Sequence, residues 1–260
     1  MTESLAVTWW GHASATVEIG GVRIGIDPLL TDRLLHLRRY TDPPGAGAAE
    51  ADLILVSHLH ADHCHLPSLR RFPAETPVVM PAGGERLLGD RPGVRGVRPG
   101  DGLEVAGARI SVLPAYHDGR RLPRSRYRGP ALGFRVECGR HSLWYPGDTG
   151  AQVDFAAVDP VDLALVPVGG WGPTLGEEHL DPGEAADAVA EVGARWAVPV
   201  HWGTFWPRGL RLVARRRHRH LFVTPGERFV DAMVGRDARA MLLTPGHRVV
   251  LGGMPGSAEG

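Results

Sequence analysis

Lysine is missing from this chain of 260 residues, so all 29 of its basic side chains are arginines, and they balance 29 acids to a formal net charge of zero. The absence excludes a Schiff-base lysine as catalyst, and the neutral balance argues against a dedicated nucleic-acid binder, which carries a basic excess. Cysteine is scarce: Cys64 and Cys138 are too few for a disulfide framework and match no cysteine-based zinc spacing. No stretch reaches the roughly 18 apolar residues of a membrane span, and the opening MTESLAVTWW lacks the basic-then-apolar layout of a secretory signal. The expectation is a cytoplasmic protein with no membrane segment and no nucleic-acid partner. Apolar residues make up 43% of the chain, enough for a buried core, and the compositional outlier is histidine, with 13 copies.

Short β-branched or apolar runs bounded by Gly, Pro and Asp read as strands: AVTWW, ATVEIGGVRIGID, DLILVS, PVVM, RISVLPA, ALGFRVECGRHSLWYP, DLALVPV, WAVPVH and HLFVT. Helices are expected at LPSLRRF, GGERLLGD, DPGEAADAVAEVG and RGLRLVARRRH. The third is the clearest, because Asp181 can cap it, Pro182 suits its first turn, Glu184 completes a capping box and Gly193 ends it. Strands meander in the first half and alternate with helices in the second, which points to mixed α/β with helix-covered sheets. No repeat or linker divides the chain, so residues 1–252 are expected to form a single domain; 41–52 read as a surface loop and 253–260 as a disordered tail.

The stretch VSHLHADHCH, directly after DLIL, holds His58, His60, Asp62 and His63 within six positions. On a helix these four would point all round, and on a strand His63 would face away from the others, so only an irregular loop makes them converge. A loop between a strand ending at Ser57 and a helix starting near Leu66 provides it. Imidazoles suit zinc and other first-row metals, and added carboxylates let two ions share a site. A lone histidine would more often be simply solvated; four donors after a buried strand point to a metal. Further donors should also sit at strand ends, and His117, Asp148 and His201 each follow an apolar run. Taken singly, Asp148 could be a turn residue and His201 a core histidine.

GIDP at 25–28, SHLHADH at 57–63, PAYH at 114–117, YPGDTG at 145–150 and PVHWGTF at 199–205 resemble the five ordered motifs of the metallo-β-lactamase-fold hydrolases, over residues 8 to 230. The resemblance implies a four-layer αβ/βα sandwich with two divalent ions on the shared edge of its sheets. Zn2+ is the expected ion, and Mn2+ or Fe2+ also suit the donors. It would place His58, His60 and His117 on the first ion, Asp62, His63 and His201 on the second, and Asp148 between them, with Asp27 holding ligand histidines by hydrogen bonds. WWGHAS, HLDPGEAADAV and HWGTF are similar to the branch containing N-acyl-phosphatidylethanolamine phospholipase D and ascorbate-6-phosphate lactonase type enzymes. In that branch His179 would contact the substrate or protonate its leaving group, and His12 has a similar status; an exposed histidine at a helix start is the plain alternative for His179. PAYHDGRR departs from the lipid-hydrolysing members, which argues against a lipid substrate.

Cys64 and His65 read as neighbours of the cluster rather than donors, and the arginine-rich 211–220 as a solvated helix face. Arg120 and Arg121, just after His117, are better placed to bind an anionic small molecule. The implied chemistry is hydrolysis by a metal-bound hydroxide, with Asp62 and His179 as catalytic candidates and a phosphodiester as the favoured substrate. A lactone or other acyl ester is the alternative, and a metal-stabilised binding protein the non-enzymatic one. The oligomeric state is left open.

Overall fold

The computed structural model describes residues 4–170 and 175–252, and for residues 211 and 212 the backbone alone. The tail 253–260, expected to be disordered, lies outside the described residues.

Two mixed sheets of seven strands dominate. The first runs, in spatial order, Arg248–Leu251, Leu5–Gly11, Ser14–Ile19, Val22–Ile26, Leu53–Leu55, Val78–Pro81 and Val94–Val97. The second runs Arg239–Ala240, Trp196–Val200, Leu163–Pro167, His141–Tyr145, Leu132–Cys138, Ala108–Pro114 and Gly102–Val105. Each is antiparallel over one half and parallel over the other, the parallel half of the first beginning at Val22–Ile26 and that of the second at His141–Tyr145.

Side-chain alternation along buried strands builds the layers. Leu53, Leu55, Leu163 and Leu165 point into the core between the sheets. Ile54 and Val56 point outward onto Leu69 and Phe72, whereas Ala164 and Val166 point onto Ala185, Val189 and Phe229. The sheets are thus covered by helical segments on their outer faces, and the fold is the four-layer αβ/βα sandwich. Parallel strands buried on both faces read as continuous apolar runs, which is why DLILVS and DLALVPV were legible as strands.

The helix Pro182–Val192 forms as its residues dictate. Asp181 accepts hydrogen bonds from the Gly183 and Glu184 amides, the Glu184 carboxylate accepts from the Asp181 amide, and Gly193 closes the helix at φ 68°. Other expected elements are shorter. LPSLRRF keeps only Leu66–Leu69, GGERLLGD shrinks to a 3-10 turn over Glu85–Leu87, and RGLRLVARRRH breaks at Ala214 into Leu210–Val213 and Arg215–His218. HLFVT is not a strand: Arg219–Val223 is a π turn, and its Phe222 packs on Trp206 together with His218, the last residue of the preceding helix. The loop 41–52 contains a 3-10 turn over Ala46–Ala49. The helix Pro225–Ala232 went unread behind the HLFVT strand.

A small third sheet, Arg33–Leu34, Leu37–Arg39 and Phe205–Pro207, ties a loop of the first half of the chain to one of the second, beside the edge where the parallel strands end.

Candidate metal centre

The carboxyl ends of the parallel strands converge on one edge, the place where open α/β sheets present their ligand-binding residues. Asp27 follows Val22–Ile26, the loop from Ser57 to His63 follows Leu53–Leu55, Asp148 follows His141–Tyr145, and His201 follows Trp196–Val200. The structure therefore gathers residues from four strands and both sheets. Four groups of donor atoms lie within 4.8 Å: His58, His60 and His117; His12, Asp62, His63 and His201; His58, His63 and Asp148; His117, Asp148 and His179. All seven expected metal-binding residues fall in them.

Each of four histidines is anchored through one ring nitrogen and directs the other inward. His58 Nδ1 lies 3.1 Å from Ser57 Oγ, His63 Nδ1 is 2.6 Å from Asp27 Oδ2, His117 Nδ1 is 3.2 Å from the Glu178 carbonyl, and His201 Nδ1 is 2.8 Å from the Gly169 carbonyl. A carbonyl only accepts, so the Nδ1 of His117 and of His201 carries a proton, and in the neutral ring Nε2 keeps its lone pair. Asp27, fully buried, also accepts from the Ser57 amide at 2.7 Å, from Ser57 Oγ at 2.5 Å and from the Tyr145 hydroxyl at 2.5 Å. Anchoring of this kind fixes ring orientation and raises ligand basicity.

The inward atoms form two neighbouring sets. In the outer set His60 Nδ1 is 3.0 Å from His58 Nε2 and 3.2 Å from His117 Nε2. In the inner set His63 Nε2 and His201 Nε2 are 3.2 Å apart, and Asp148 Oδ2 is 3.3 Å from the first and 3.1 Å from the second. Asp62 Oδ2 lies 3.7 Å from His63 Nε2 and 3.8 Å from His201 Nε2. Asp148 Oδ1 is buried without a hydrogen-bond partner among the described residues. Facing imidazole lone pairs, two carboxylates and an orphaned carboxylate oxygen fit a cation, so the residues suit the metals that the sequence implies.

Electrostatics agree with this. Burial opposes the charged form of Asp148, yet the His201 and His63 imidazoles hold its carboxyl well below the usual range; Asp62 behaves likewise beside His63, His12 and His201. Burial would likewise depress His201, but Asp148 outweighs it and lifts the imidazole to about 9. Two ionised acids thus demand positive charge in the inner set, and a metal ion can supply it in place of imidazole protons. Burial pushes His12 down to about 4, helped by His201 and opposed by Asp62.

His12 reaches further in than a supporting residue need. Its Nε2 is 3.0 Å from Asp62 Oδ2, its amide donates to Thr204 Oγ1 at 2.6 Å, and its carbonyl accepts from the His201 amide at 2.8 Å. His12, Asp27 and His201 all sit at positive φ, at 53°, 38° and 64°, a strained conformation for non-glycine residues and one that clusters at functional sites. Gly147 serves the same edge: at φ +65° in the turn before Asp148, a Cβ there would lie 2.8 Å from that of Ser57.

A cavity of about 360 Å3 opens over the donors, lined by His60, Asp62, His117, Asp148 and His179 together with apolar Leu34, Leu35, Leu122 and Pro123. His179 stands 3.7 Å from Asp148 Oδ2 through an Nδ1 that is buried without a hydrogen-bond partner among the described residues, and burial brings its imidazole down to about 4. Arg121 lines the cavity, but its guanidinium donates to the carbonyls of Leu59 and Cys64. Arg120 is directed to Asp118, 2.9 Å away, and is not among the lining residues. Cys64 is buried in the outer core and His65 caps the helix Leu66–Leu69, as expected of residues outside the donor set.

Sequence reading passed over Ser57, Tyr145, Gly169 and Glu178 as supports. Ser57 and Tyr145 were in view inside SHLHADH and YPGDTG, but Asp27, their common partner, is 30 and 118 positions away.

Residues 22–202 match the family model described as Beta-lactamase superfamily domain. A UPF0173 metal-dependent hydrolase of Thermoplasma acidophilum is 31% identical over 208 residues, covering 78% of this chain and 85% of that protein. The N-acyl-phosphatidylethanolamine-hydrolyzing phospholipase D 1 of Caenorhabditis elegans is 29% identical over 229 residues, covering 77% of this chain and 64% of that enzyme. Among solved structures, Igni18, a metallo hydrolase of the archaeon Ignicoccus hospitalis, superposes with a TM-score of 0.73 at 21% identity, covering 96% of this chain and 100% of that one.

Proposed function

Because this chain belongs to the metallo-β-lactamase superfamily and is a metal-dependent hydrolase, we propose that it works with two divalent ions, Zn2+ first among them, on a phosphodiester or other small anionic substrate. The observation that carries this reading is the pair of donor sets meeting at Asp148, with four histidines each anchored through the nitrogen turned away from the site. His58, His60 and His117 would hold one ion, Asp62, His63 and His201 the other, and Asp148 would bridge them. When bound there, the ions would supply Lewis acidity, lowering the pKa of a water and polarising the bond under attack.

The protein's own residues do the rest. Asp27 and the Gly169 carbonyl keep His63 and His201 in the tautomer that leaves Nε2 free. His12, neutral at pH 7, donates from Nε2 to Asp62 and fixes that carboxylate. His179 lines the cavity as a neutral imidazole and contacts the leaving group with its N–H, a weaker role than full proton donation. Similarity to a phospholipase D supports the phosphodiester. The apolar walls, Leu34, Leu35, Leu122 and Pro123, favour a second reading, an ester or lactone with an apolar portion. Residues 1–252 act as one hydrolase domain, and the scarcity of cysteine suits a reducing cytoplasm.

The test is hydrolysis of a chromogenic phosphodiester by metal-replete protein, with Asp62→Ala as control. Turnover that disappears in the variant supports the phosphodiesterase. Failure of the wild type on phosphodiesters, with turnover of lactones, moves the assignment to acyl substrates. Wild-type turnover in Asp62→Ala would sink the metal assignment.

A further inference from the structure

The arginine-rich stretch 211–220 plays no part in the metal centre, yet it borders a second cavity, of about 460 Å3, whose lining includes Arg216, Arg217, His220 and Arg228. The local fold explains why these side chains come together. His218 and Phe222 are one turn apart and anchor the segment on Trp206, with ring centroids 5.1 and 5.6 Å away. The neighbouring pairs at the same spacing, Arg216 with His220 and Arg217 with Leu221, line the cavity. Arg228 enters from the helix Pro225–Ala232, its Nη1 3.4 Å from His220 Nδ1.

Among the described residues no carboxylate forms an ion pair with Arg216, Arg217 or Arg228. The lining includes one acid, Asp181, and its Oδ1 is occupied by the amides of Gly183 and Glu184. Three guanidiniums around one cavity repel each other until an anion joins them, and the planar guanidinium matches a phosphate oxygen pair. The rest of the wall, Val168, Leu175, Leu221 and Pro225, is apolar. The volume falls within the range of small-ligand sites.

We propose that this cavity binds a small organic phosphate monoester, its phosphate on Arg216, Arg217 and Arg228 and its organic part against the apolar wall. The site is separate from the metal cavity and stands whether or not the substrate reading above is right. The two share a structural element: Gly169, in the wall of the second cavity, is the residue whose carbonyl orients His201.

Calorimetric titration of the metal-replete protein with phenyl phosphate tests this. Saturable binding is expected in the wild type and in Asp62→Asn, which alters the metal cavity alone. Arg216→Gln/Arg217→Gln should weaken binding at least about tenfold, the scale of a lost charge-assisted hydrogen bond, and Arg228→Gln should weaken it too. Arg215→Gln/Arg219→Gln removes the same charge from the same segment at positions outside the lining and should leave affinity within about twofold. No saturable binding in the wild type, binding lost in Asp62→Asn, or equal weakening in the two double variants would each overturn the proposal.

Discussion

The inner and outer halves of the donor cluster are built differently. His63, His201, Asp148 and Asp62 are buried, and the rings of the first two are pinned by Asp27 and by a main-chain carbonyl. His60 and His117 are partly exposed at the cavity, and His117 is held by Glu178, an exposed residue of a loop. The inner half is therefore buried throughout, whereas the outer half runs from the equally buried His58 to two histidines open to the cavity. His60 and His117 line the cavity together with Asp62 and Asp148 of the inner half, whose histidines stay behind them.

Replacing the residue common to both halves should have the largest effect. Asp148→Asn is expected to bring turnover to background and to lower metal content at both positions, measured by elemental analysis. Retention of both metals would show that the halves do not meet at Asp148. Next, Asp27→Asn acts on the inner half directly, through His63, and on the outer half only at one remove, through Ser57 and His58. Affinity for one ion should fall roughly tenfold to a hundredfold in a chelator competition while the other ion is weakened less. Equal weakening of both would erase the contrast. His179→Ala, on the open side, should lower kcat roughly tenfold to a hundredfold with metal content unchanged; loss of a metal would make His179 a ligand instead.

The smallest effect belongs far from the site. Arg248 donates to both Glu18 oxygens at 2.8 Å across the edge strands and holds that carboxyl below its usual value of 4.5. A carboxyl lowered by folding contributes stability that is present above pH 4.5 and lost as the pH falls further. Arg248→Ala should therefore cost about 0.2–1 kcal/mol at pH 7 and less in acid, read from urea unfolding at the two pH values, with metal binding untouched.

This contrast also explains what could be read from the sequence. The layers were legible because DLIL, DLALVP and WAVPV are runs buried on both faces, and the inner donors because each follows such a run. The capping box at Asp181 is a local code and was legible for that reason. The third sheet was not, because its strands of two or three residues carry no periodicity and one of its two pairings spans more than 160 positions, from Arg39 to Phe205. HLFVT misled because a short apolar run serves a strand and a helical turn equally. Its aromatic contact, Trp206, decides the outcome and is remote from any pattern within the run. The arginine loop after His117 promised anion recognition from proximity alone; where a guanidinium points depends on carbonyls such as those of Leu59 and Cys64.

The tie between His12 and the segment 201–204 also sets the order in which a newly made chain can be completed. His58, His60 and Asp62 leave the ribosome early, whereas His201, which lies 138 positions after His63, follows later, by an interval on the order of ten seconds at ordinary translation rates. For the later part of that interval the nascent chain carries an outer set whose three histidines have all been made and an inner set that is still missing its last histidine. The inner set is accordingly completed only as the last strands dock.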